Sequence, residues 1–110
     1  MTDSAALAAM VADACADKRS LCLAGGGSKS GLLGRDCSAD VLPLASNRGI
    51  VDYEPGELVI TARAGTTIDE LTSTLAAERQ YLPCTTPGFA GQATLGGSLA
   101  CNLSGYTRPW

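Results

Sequence analysis

The sequence predicts an α+β domain in which two helices pack on a small mixed sheet. Helical apolar spacing marks residues 3–18 and again 67–79, and short β-rich runs bounded by Gly and Pro lie between them. The order helix, strand, strands, hairpin, helix, strand lacks the alternation of parallel βαβ units. With 110 residues and 45% hydrophobic content, the chain has apolar material for one core and is read as a single domain, 1–110. Only 5% of residues are aromatic, so that core must be built from Leu, Val, Ile and Ala, which bury less area per residue.

The first helix can be capped by Asp3 or Ser4, and Leu7, Met10, Val11, Ala14 and Cys15 recur on one face that should meet a sheet. Leu21-Cys22-Leu23-Ala24 follows a Lys18-Arg19 turn and reads as a buried strand feeding a glycine loop. Residues 40–44 are a second strand candidate, with Pro43 confined to an edge or strand end because it cannot donate a ladder hydrogen bond. Residues 50–53 and 58–64 form the clearest hairpin, joined by Glu54-Pro55-Gly56-Glu57, whose Pro-Gly suits a type II turn. Asp52, Glu54 and Glu57 around it read as a solvated rim. Thr67-Ile68-Asp69-Glu70 matches a capping box, and Ile68, Leu71 and Leu75 continue as an apolar stripe to about Arg79. After Tyr81-Leu82-Pro83 the chain becomes rich in Gly and Thr. The ending Tyr106-Thr107-Arg108-Pro109-Trp110 places the single Trp directly after Pro, a residue expected to be packed against something, and this favours a truncated domain.

A net charge of −3 with dispersed basic residues excludes the basic stripe that nucleic-acid binding requires. The five cysteines, Cys15, Cys22, Cys37, Cys84 and Cys101, form no C-x-x-C pair, and the chain has no His, so no metal site is expected. The sequence shows no signal peptide and no apolar stretch long enough to cross a bilayer. Reduced thiols in the cytoplasm, mostly small core residues, are the simplest reading.

Two glycine-rich segments carry the functional signal. In Gly25-Gly26-Gly27-Ser28-Lys29, glycine would let backbone N–H groups approach an anion, with a hydroxyl and an ammonium beside them. A Walker A loop is ruled out because Ser28 separates Gly27 from Lys29, and a dinucleotide fingerprint because Ser30 stands where its third glycine should be. The second segment is Thr94-Leu95-Gly96-Gly97-Ser98-Leu99-Ala100, continued by Asn102 and Gly105, where a short helix beginning at the glycines could turn its N-terminus toward an anion. Plain structural turns remain the alternative reading of both loops. Together they suggest two backbone surfaces closing on one phosphate-bearing cofactor.

Thr94, Gly96, Gly97, Ala100, Asn102 and Gly105 stand at the spacing T-x-G-G-x-x-A-x-N-x-x-G, which resembles flavoproteins with the vanillyl-alcohol-oxidase (PCMH) type of FAD-binding domain. Residues 48–66, Leu82-Pro83-Cys84 and Arg108-Pro109-Trp110 are similar to the FAD-binding subunits of glycolate oxidases within that family. The resemblance implies the first part of a non-Rossmann flavin domain. It assigns Gly25, Gly26, Gly27, Ser28 and Lys29 to one pyrophosphate loop and Thr94, Leu95, Gly96, Gly97, Asn102, Ser104 and Gly105 to the other. With no His, a histidyl flavin bond within these residues is excluded; a cysteinyl bond is the alternative, which nothing in the context of the cysteines favours, and noncovalent FAD is implied.

The implied role is an FAD-binding module of a 2-hydroxy acid oxidoreductase complex, with a larger flavin subunit and an iron–sulfur subunit as partners. The location implied is cytoplasmic, with any membrane association peripheral and made through the complex. The chain offers no convincing catalytic acid or base, so the fragment alone is not expected to be catalytic. A non-catalytic nucleotide-binding or subunit-assembly module is the alternative from a different class. Another family member acting on a different 2-hydroxy acid would keep the same loops.

Overall fold

Two short strand pairs of opposite sense organise the chain. The computed structural model describes residues 4–32, 35–36, 38–84, 86–103 and 105. β1 (Leu21–Ala24) and β2 (Asp40–Pro43) pair in parallel from Leu21↔Asp40 to Ala24↔Pro43. β3 (Ile50–Glu54) and β4 (Val59–Ala62) pair antiparallel, with a register shift between Ile50 and Asp52. The fold is α+β as expected, but the two pairs form separate sheets rather than one mixed sheet. Pro43 closes β2 at a strand end, where its missing N–H breaks no ladder bond.

α1 (Ser4–Ala16) forms within the expected range, but its apolar stripe is largely uncovered. Ala14 is buried, whereas Met10 and Val11 are exposed and Leu7 is half-buried. Thirteen helical residues extend about 20 Å, whereas a four-residue strand extends about 13 Å, so the β1–β2 ribbon is too small to cover the stripe. The Arg19 guanidinium bridges Asp17 and Asp40, tying the end of α1 to the start of β2. That pairing, with Asp40 first and Asp17 second, raises the Arg19 pKa further.

The hairpin turn departs from type II. Residues Pro55–Glu57 form a 3₁₀ turn, and Leu58 rather than Gly56 takes the left-handed conformation, at φ 58°. The Leu58 N–H donates to the Pro55 carbonyl at 3.3 Å, so the turn closes without a positive φ at Gly56. Asp52, Glu54 and Glu57 are exposed, as a solvated rim requires.

α2 (Ile68–Ala77) starts where the sequence indicates. Thr67 caps it, its hydroxyl accepting the Glu70 N–H at 3.2 Å. Ile68, Leu71 and Leu75 are the buried face. Ile68, Leu71 and Ala93 form the core, packed against Ile50, Ile60, Ala62, Leu82, Phe89 and Leu95. The cysteines do not populate it: Cys15 is exposed, and Cys22, Cys84 and Cys101 are half-buried on the thin outer elements. Cys37 and the 106–110 segment, including the Trp110 packing expectation, lie outside the described residues.

No further strand forms after α2 among the described residues; an isolated bridge joins Thr67 to Thr94 instead. Phe89, Ala90 and Gly91 all have positive φ, which prevents an extended run there. The chain then enters α3 (Leu95–Ala100). Residues 63–66 position that helix. Thr66 is fully buried, its hydroxyl accepting from the Gly49 N–H at 2.9 Å and donating to the Gly49 carbonyl at 3.2 Å. The same segment's carbonyls receive α3: Leu95 N–H donates to Thr66 at 2.8 Å and Gly96 N–H to Ala64 at 2.8 Å.

Candidate functional site

β1 delivers the first glycine loop directly from the β1–β2 pair, which the Leu44 N–H extends by a bond to the Ala24 carbonyl at 2.7 Å. Each glycine there has a separate structural reason. A Cβ on Gly26 would stand 1.8 Å from the Gln92 carbonyl oxygen, so only glycine lets the two backbones cross. A Cβ on Gly25 would stand 2.9 Å from Thr94 Oγ1. Gly27 meets no neighbour but has φ +69°, a left-handed turn position. The Ser30 backbone and hydroxyl both donate to the Gly27 carbonyl, at 3.3 Å and 2.8 Å, and close the turn.

The two loops differ in what their amides do. Among the described residues, none accepts a hydrogen bond from the backbone N–H groups of Gly25 to Lys29. At α3 the first amides are already used: Leu95 and Gly96 donate to Thr66 and Ala64, and Gly97 donates to Thr94 Oγ1 at 3.2 Å. Unused donors therefore lie on the first loop, while the second loop is fixed by the protein itself.

The loops meet in a concavity of about 340 Å³, lined by Gly25 to Ser30 together with Arg35, Thr94, Gly97 and Cys101 and by the end of β1. Lys29 is 7% exposed. Its Nζ has a 3.4 Å hydrogen bond to Ser28 Oγ and lies 5.2 Å from the Phe89 ring centroid. The ion pairs among the described residues involve Arg19, not Lys29, and no described carboxylate lines the concavity. A buried ammonium without an anion is costly, and this one lies beside a row of N–H groups with no acceptor among the described residues. The arrangement can bind an anion; it offers no general acid, base or nucleophile in a poised pair.

A larger cleft of about 460 Å³ between the hairpin and α2 lacks that character. Within it the Tyr53 hydroxyl donates to Gln80 Oε1 at 2.7 Å and Gln80 Nε2 to the Pro55 carbonyl at 2.8 Å.

Seven of the residues singled out from sequence come together in the smaller concavity: Gly25, Gly26, Gly27, Ser28, Lys29, Thr94 and Gly97. The others are placed elsewhere. Gly96 packs on Ala64, where a Cβ would stand 2.9 Å from the Ala64 Cβ. Leu95 and Asn102 line an apolar cleft on the opposite face of α3, beside Ser98 and Leu99. Gly105 is exposed with φ 70°, and Ser104 lies outside the described residues. Sequence reasoning missed Arg35, which had no motif to mark it, and the 88–92 loop, whose Phe89 ring and Gln92 carbonyl back the site. Pro87, Gly88 and Gly91, which mark a turn-rich segment, were its available signal.

The profile of the family described as FAD binding domain matches residues 1–110. The chain is 44% identical over 107 residues to glycolate oxidase subunit GlcE of Escherichia coli (strain K12), a match covering 97% of this chain and 30% of that protein. The chain thus spans less than a third of the length of the curated relative. No solved structure matches it. Among the described residues, no helix is long and apolar enough to cross a membrane.

Proposed function

Because the chain belongs to the FAD binding domain family and its cofactor is FAD, we propose that it holds the FAD pyrophosphate on the first glycine loop for a 2-hydroxy acid oxidoreductase of the glycolate oxidase type. The observation carrying this reading is the buried Lys29 ammonium, which has no ion pair among the described residues, beside five backbone amides that none of the described residues accepts from. A diphosphate fits that donor set, because its charge neutralises Lys29 and its oxygens satisfy the amides.

In this reading Gly25, Gly26 and Gly27 shape the loop, and Ser28 and Lys29 contact phosphate oxygens. Thr94 and Gly97 form the facing wall, while Leu95, Gly96, Asn102 and Gly105 support the second loop. FAD when bound supplies the acceptor for the electrons removed from the 2-hydroxy acid. The chain's residues bind and orient it noncovalently. A larger flavin subunit and an iron–sulfur subunit are the proposed partners, in keeping with the relative's name as a glycolate oxidase subunit. The proposed setting is cytoplasmic, with any membrane contact made through the complex.

Flavin-fluorescence titration of the chain with FAD, with FMN and ATP as controls, tests the cofactor site. Saturable FAD binding that is lost in Lys29→Met supports the loop assignment; FAD binding unaffected by that variant would sink it. Copurification with the larger flavin and iron–sulfur subunits tests the complex. FAD binding without either subunit would leave a nucleotide-binding module of a different system.

A further inference from the structure

The concavity is more strongly cationic than its motif. Besides Lys29 it is lined by Arg35, and no described carboxylate balances either, in a chain whose net charge is −3. Arg35 is exposed and forms no ion pair or hydrogen bond among the described residues. The two cations differ in setting: Lys29 is buried beside Phe89 and near Gly97, where a Cβ would stand 3.8 Å from its Nζ, whereas Arg35 reaches solvent. A site with one inner and one outer cation suits a ligand bearing two linked phosphates, which offers each cation a phosphate of its own.

Resting on the FAD reading above, we propose that Arg35 is a specificity-determining residue that binds the second phosphate and makes the site select diphosphate over monophosphate nucleotides. Its planar guanidinium can grip two oxygens of one phosphate, while Lys29 neutralises the other as a point charge. Because Arg35 is solvent-exposed, its contribution is screened by salt, whereas that of Lys29 is screened less.

The readout is the ratio of ADP to AMP affinity, since the two ligands differ only in the second phosphate, with FAD and FMN measured in parallel. Arg35→Gln should weaken ADP and FAD by about five- to tenfold and leave AMP and FMN within about twofold. Arg35→Lys should recover part of the loss, and added salt should shrink the wild-type ADP preference. An unchanged ADP to AMP ratio in Arg35→Gln overturns the proposal, as does equal weakening of all four ligands, which would make Arg35 a general attractive charge. A far-UV circular dichroism spectrum identical to wild type confirms that the variant is folded. Failure of the wild-type chain to bind FAD and ADP would overturn the FAD reading and this proposal together; normal FAD binding with an unchanged ratio would overturn this proposal alone.

Discussion

Thr94 Oγ1 accepts the Gly97 N–H at 3.2 Å and lies 2.9 Å from where a Cβ on Gly25 would stand. The cap of α3 is thereby pressed against the first glycine loop, although 69 positions separate the two residues in sequence (94 − 25). Gly25→Ala must displace that cap. Its expected effect is a loss of about 1–3 kcal/mol, the range for overpacking, together with weaker FAD binding. Thermal unfolding and FAD titration of Gly25→Ala check this, and Thr94→Val should reproduce about 1 kcal/mol of the loss by removing the cap acceptor.

Lys29 gives a prediction of opposite sign for stability and binding. Removing a buried ammonium that has one long hydrogen bond should leave the ligand-free protein as stable or more so in Lys29→Met. FAD affinity should fall about tenfold or more, because a charge-assisted contact is lost. Denaturant midpoints without ligand, set beside FAD titration, measure both; a large destabilisation with unaltered affinity would make Lys29 a packing residue.

Gly96 should behave differently from Gly25 and Gly26. Its absent side chain makes room for Ala64 rather than for the concavity. Gly96→Val should therefore unfold more easily and lose FAD binding only in proportion to its lost stability. Gly96→Ala combined with Ala64→Gly should recover part of the Gly96→Ala loss in a double-mutant cycle, whereas additive losses would refute the contact.

The hairpin cleft yields a pH prediction. Burial, and secondarily the charge of Glu78, holds the Tyr53 hydroxyl above the usual tyrosine value of 10. The folded state favours its neutral form, so the resulting stability is intact below pH 10 and is lost as pH rises through the folded value. Absorbance titration should show Tyr53 ionising above pH 10, and Tyr53→Phe should flatten the alkaline decline in stability.

Local physics made some elements legible without coordinates. Thr67 at a cap with Ile68, Leu71 and Leu75 at helical spacing specifies α2, because capping and amphipathicity act within a few residues. The β3–β4 hairpin is likewise local, although its turn geometry was decided by Leu58 rather than Gly56. The exposed stripe of α1 and the missing strand after α2 were not legible, since each depends on how much neighbouring structure is present to cover or pair with it.

For the site, the sequence by itself determined the chemistry: three consecutive glycines, a hydroxyl and an ammonium in one loop, and a second glycine segment with a Thr cap. Backbone freedom and side-chain type are properties of single residues and can be read one at a time. Only the tertiary structure decided how that chemistry is shared out. Residues 64 and 66 take the first amides of α3, leaving the first loop with the unused donors, and Gln92 and Phe89 close in behind Gly26 and Lys29. Those choices depend on long-range packing, which fixes which donors are satisfied within the protein and which remain for a ligand.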